Sequence, residues 1–143
     1  MSAFDRYAPL IQDYIYSKGW SELRSVQEEA ATAIFDSADH LLICSSTASG
    51  KTEAAFFPII SELLNDPPGS FGVLYIAPLK SLINDQFERL SELLAAGSIP
   101  LTHWHGDVSS SHKAKALKDP KGILQITPES LESMLINRQN DLP

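Results

Sequence analysis

One cysteine, Cys44, stands in the 143 residues. A lone thiol closes no internal disulfide, so packing must hold the fold, and a reducing, cytoplasmic compartment is expected. No apolar run approaches the roughly 20 residues needed to cross a bilayer, and no membrane partner is expected. The opening MSAFDRYAPL lacks the basic head and apolar block of a secretory leader. Basic residues are few: 11 Lys and Arg against 18 Asp and Glu, a net charge of −7. That excludes a nucleic-acid binder of the kind that is basic over its whole surface, but leaves room for a local phosphate-contacting strip. There is no internal repeat and no low-complexity tract. What is plentiful is apolar surface, at 43% of residues, enough for the packed core of one ordinary domain.

The apolar residues are patterned. Leu10, Ile11, Tyr14 and Ile15 fall at helical spacing before Gly19. Val26, Ala30, Ala33 and Ile34 repeat the pattern, with Ser25 and Glu28 spaced as a capping box. HLLICSS (40–46) reads as a short buried strand, and KTEAAFFPIISELL (51–64) as a helix bent at Pro58. FGVLYIAP (71–78), IPLTHWHG (99–106) and GILQIT (122–127) read as strands. Between and after them come an amphipathic helix over 81–97, with Leu82, Ile83, Phe87, Leu90, Leu93 and Leu94 on one face, a short basic helix over 109–119, and a helix opening at Pro128. NDPPGS (65–70) reads as a surface turn rather than an interdomain linker. Strands alternating with helices predict an α/β fold, a parallel sheet with helices on both faces. Ligands of such sheets bind at the carboxyl ends of the strands.

One of those ends carries SSTASGKTEAA (45–55). Between a strand and a helix, Gly-Lys-Thr is the tail of a phosphate loop. Backbone N–H groups and the positive helix end converge there on phosphate oxygens. Gly50 lets the backbone approach, Lys51 offers a charge to the terminal phosphates, and Thr52 offers a hydroxyl to Mg2+. Lys51 and Thr52 are therefore the candidate catalytic residues, and Thr47, Ala48, Ser49, Gly50, Lys51 and Thr52 the candidate nucleotide-binding loop. Ser45 and Ala48 occupy slots that often hold alanine or glycine in such loops.

Further stretches line up in order. GWSELRSVQEEA precedes the loop; APLKSLINDQ, HGD and ITPESLE follow it. Together with STASGKTE they resemble the first RecA-like domain of superfamily 2 helicases, the DEAD/DEAH group, in its large-helicase-related branch. The resemblance covers nearly the whole chain. It implies a RecA-like P-loop NTPase fold, with 1–39 a helical adenine-motif segment and 40–143 the P-loop α/β portion. It implies that Gln27 hydrogen-bonds the adenine of ATP, through an amide with both donor and acceptor. An upstream aromatic often stacks on that base, and Phe4, Tyr7 and Trp20 are all candidates. It implies that Pro78, Lys80, Gly106, Thr127 and Pro128 contact a DNA or RNA backbone, with ATP and Mg2+ as cofactors.

The resemblance also exposes absences. No D-E-x-D/H tetrapeptide and no S-A-T motif occur in the 143 residues. Nor is there a second RecA-like domain, the partner the family's cleft requires. The sheet is thus expected to be incomplete, lacking the later strands. The chain is expected to be the amino-terminal piece of a longer ATP-dependent helicase, to bind nucleotide rather than hydrolyse it when alone, and to self-associate through an open sheet edge. Two other functions share the loop. A P-loop phosphotransferase needs an arginine-bearing lid, and 53–98 holds only Arg89. A non-catalytic nucleotide- or nucleic-acid-binding module needs no more than these residues. His103 and His105 alternate on one strand face, too few for a tetrahedral zinc set.

Overall fold

The computed structural model describes residues 1–46, 50–78 and 85–137. The chain divides into two compact units, Met1–Asp66 and Pro67–Pro143. The division falls in the proline-rich turn 65–70, which the sequence reads as lying inside one domain.

The first unit is helical. It comprises α1 (Ala3–Arg6), α2 (Pro9–Ser17), α3 (Ser25–Asp36) and α4 (Lys51–Asn65). The periodic residues Ile11 and Ile15 are buried, beside Ala30, Ala31, Ala54 and Ile60. At the centre is Phe57, wholly buried, with the rings of Tyr7, Tyr14 and Trp20 at 5.8, 6.0 and 6.4 Å. Aromatic contacts at such separations add to the burial term. The turn into α2 is tied to α4 by the Ala8 N–H, which donates to Ser61 Oγ at 2.9 Å. Ser61 in turn donates to Phe57 O, so a buried hydroxyl is satisfied on both sides.

Two local expectations give way. The α3 cap is Arg24, not Ser25. The Arg24 N–H donates to Gln27 Oε1 at 3.0 Å, so Gln27 rather than Glu28 reaches back to the cap. Glu28 is engaged elsewhere, accepting the Ala3 N–H at 2.9 Å. Residues 40–46 form no strand; Leu42 is 85% exposed and Leu41 46%. An extended segment becomes a strand only when a neighbour supplies its ladder, and among the described residues 40–46 has none.

The second unit is α/β. Its strands are β1 (Phe71–Ile76), β2 (Leu101–Trp104) and β3 (Gly122–Ile126); its helices are α5 (Asp85–Ala96), α6 (Ser110–Lys118) and α7 (Pro128–Asn137). The three strands form a parallel sheet in the order β1-β3-β2, as alternation with helices predicts. Leu124 and Ile126 look toward Phe71, Trp104 and Met134, with Ala116, Leu117 and Leu131 of α6 and α7 packed against them. Ile123 and Gln125 alternate with these residues and are also fully buried, so both faces of β3 are covered. Leu90, Leu93 and Leu94 bury the apolar face of α5; Leu82, Ile83 and the Phe87 side chain lie outside the described residues. At the start of β3, Gly122 has a φ of 71°, and a β-carbon there would collide with Pro100 O. Only glycine lets the Ile123 N–H reach that carbonyl, at 2.9 Å.

Candidate nucleotide site and strand-end cleft

The nucleotide-site residues that are described lie within the first unit. Gly50 caps α4 with φ 83° and ψ 27°, a left-handed conformation suited to glycine. Lys51 and Thr52 form the first turn of the helix. Both stand at the N-terminal end of α4, the positive end of the helix dipole. The Lys51 ammonium donates to Ser45 O at 2.8 Å. Thr47, Ala48 and Ser49 lie outside the described residues.

Gln27 comes to the same place from α3. It is 5% exposed, and its Nε2 lies 3.5 Å from Gly50 O, a long hydrogen bond. A β-carbon on Gly50 would stand 2.5 Å from that nitrogen. The adenine-motif candidate and the phosphate-loop glycine, 23 residues apart, are therefore neighbours. The upstream aromatics separate. Tyr7 is buried between Phe35 and Phe57, and burial pushes its hydroxyl pKa upward. Phe4, edge-on to Tyr16 at 5.2 Å, shares with Trp20, Glu22 and Glu28 the wall of an open cleft.

The candidate nucleic-acid residues belong to the second unit. Pro78 follows β1, Gly106 follows β2, and Thr127 and Pro128 follow β3, so the parallel sheet brings all four to one edge. Backbone bonds fix the edge. The Ala77 N–H donates to Ile126 O at 3.1 Å, and the Thr127 N–H to Trp104 O at 3.3 Å. Thr127 is buried, and its Oγ1 meets the Ser130 hydroxyl at 2.9 Å and the Ser130 N–H at 3.4 Å, in the manner of an N-cap. Pro128 opens α7, where its missing N–H costs nothing. Gly106 and Thr127 line one cleft, together with Trp104, His105, Lys113 and Ser130. Lys80 lies outside the described residues. Lys113 was not separable in the sequence, where it is one of three lysines on a basic helix.

Comparison with known proteins agrees with this arrangement. Residues 24–142 match the DEAD/DEAH box helicase family. The ATP-dependent helicase Lhr-Core of Methanothermobacter thermautotrophicus is 38% identical over 113 residues, 68% of this chain and 13% of that protein. The DExH-box ATP-dependent RNA helicase DExH13 of Arabidopsis thaliana is 32% identical over 120 residues, 78% of this chain and 5% of that protein. The chain thus spans a small part of the relatives it matches. Among solved structures, Mycobacterium smegmatis helicase Lhr bound to ssDNA and AMP-PNP superimposes with a TM-score of 0.78 at 29% identity, over 94% of this chain and 18% of that one. The DUF1998 helicase MrfA bound to DNA and AMPPNP shares the fold, with a TM-score of 0.79 at 22% identity, over 96% of this chain and 19% of that one. Family match, fold and motif order converge: the chain belongs to the DEAD/DEAH box helicases, in the N-terminal part of their RecA-like region.

Proposed function

We propose that this chain is the ATP- and nucleic-acid-binding portion of a superfamily 2 helicase or translocase, which couples ATP hydrolysis to remodelling of DNA or RNA. The observation that carries this reading is the meeting of Gln27 with Gly50 at the start of α4. It supports the reading because the amide proposed to read the base lies beside the helix end proposed to hold phosphate, a pairing for which a generic turn before a helix has no use.

The residues present suit a Mg2+–nucleotide. Gly50 opens α4 with a left-handed backbone, Lys51 supplies a cation, and the Thr52 hydroxyl is an oxygen donor of the kind Mg2+ takes beside phosphate and water. Thr47, Ala48 and Ser49 complete the proposed loop. ATP, when bound, supplies the phosphoanhydride whose cleavage drives the cycle. Within this chain Lys51 would release Ser45 O and turn its ammonium to the terminal phosphates. Gln27 would exchange its long bond to Gly50 O for the adenine edge, with Oε1 kept on the Arg24 cap. Phe4 and Trp20, already on a cleft wall, are better placed than the buried Tyr7 to meet a flat base. Pro78, Lys80, Gly106, Thr127 and Pro128 hold backbone phosphates without reading sequence. The sequence contains no D-E-x-D/H, and this favours binding without turnover for the chain by itself.

The test is a calorimetric titration with Mg2+–ATP of the wild-type chain and of Lys51→Ala. A charge-assisted hydrogen bond contributes about 1.5–3 kcal/mol, so the variant should bind about tenfold or more weakly. A silent wild type, or a variant that binds as tightly, overturns the reading.

A further inference from the structure

The three lysines of α6 are not equivalent. Lys115 and Lys118 are exposed; Lys113 is half-buried and is the one lysine or arginine, among the described residues, that lines the strand-end cleft. Its ammonium lies 5.4 Å from the centroid of the Trp104 ring. Trp104 is 6% exposed and belongs to the core beneath the sheet edge, so the ring is a fixed platform. A cation held over an aromatic face keeps its full charge. No carboxylate pairs with Lys113 among the described residues. In a chain of net charge −7, an unneutralised ammonium steered into a polar cleft is a placed charge rather than a solvated one.

The cleft says what that charge faces. Ser130 Oγ, which accepts from the Thr127 hydroxyl, keeps its own proton to donate, and α7 presents its N-terminal end, which favours anions. Glu129, exposed, is the only carboxylate lining it among the described residues, and its repulsion falls on any anion alike. Trp104, engaged in the core, has no free face for a base. The geometry points to Lys113 as a contact to a backbone phosphate of a polynucleotide, independent of base sequence, on the wall of the cleft formed by α6. This assignment rests on the nucleic-acid reading above and adds to it a residue outside the matched motifs.

The experiment is titration of labelled oligo-deoxythymidine and oligo-uridine with the chain over a series of salt concentrations. Each phosphate neutralised on a single strand contributes about −0.7 to the slope of log K against log salt. Lys113→Gln should bind both strands several-fold more weakly and make the slope shallower by about 0.7. Lys113→Arg should restore the slope, and Lys115→Gln should leave it as in the wild type. A Lys113→Gln protein that keeps affinity and slope overturns the contact while the nucleic-acid reading stands. Loss confined to oligo-uridine overturns the phosphate assignment in favour of a ribose hydroxyl. A wild-type chain that binds neither strand overturns both.

Discussion

Gln27 Nε2 lies 3.5 Å from Gly50 O, and Gly50 leaves that amide the space its own missing side chain would take. The left-handed backbone at Gly50 costs a residue with a β-carbon roughly 1–2 kcal/mol before any contact is counted. Gly50→Ala should therefore lower stability by at least that amount and weaken nucleotide binding. The crowding is relieved by shortening the partner, so Gly50→Ala with Gln27→Ala should be less destabilised than the two single effects added together. A double-mutant cycle in urea measures the difference, and strict additivity would show that the two residues do not press on one another.

Gln125 makes the opposite kind of prediction. It is fully buried on the central strand, and neither Nε2 nor Oε1 has a hydrogen-bond partner among the described residues. Its register neighbours are Tyr75 and His103. An unsatisfied buried amide costs about 1–3 kcal/mol. Gln125→Met keeps the length and removes the polar atoms, so the urea midpoint should rise, by about 1 kcal/mol in stability. A fall in the midpoint would mean that the amide has a partner, such as a buried water.

The third prediction concerns acid. Arg6 grips Asp36 with two hydrogen bonds, Nη2 to Oδ1 at 2.7 Å and Nη1 to Oδ2 at 3.1 Å, and lies over the Phe35 ring. The hydrogen bond from Arg6 holds the Asp36 carboxyl below its ordinary value of 3.8. The folded chain thus binds fewer protons there than the unfolded one, so stability rises with pH through this window. The contribution is fully present above pH 3.8 and is lost as the pH falls from there through the lower folded value. Asp36→Asn should flatten that part of the acid-unfolding curve, and high salt should shrink the difference, since the pair is exposed. An unchanged acid limb would count against it.

Much of this arrangement was legible in the residues. Helical periodicity found Ile11, Ile15, Leu90, Leu93 and Leu94, all buried. The Gly-Lys-Thr context placed Gly50 at a helix start. Pro128 marked the first residue of α7. Other features depend on partners that a local pattern does not contain. HLLICSS carries the apolar run of a strand, but a strand also needs a ladder, and none reaches it among the described residues. The α3 cap was misplaced because arginine gives no capping signal, while the reciprocal bond comes from Gln27, singled out for another role. Lys113 parts from Lys115 and Lys118 only when β2 delivers Trp104 beneath it.

Lys51 has a resident acceptor in Ser45 O. Under the proposed function, entry of a triphosphate would be a displacement, one oxygen traded for another, and the heat released would be the difference between two attachments. The Ser45 carbonyl would act as a competitor carried within the chain, independent of concentration, and would take the ammonium back when the nucleotide leaves.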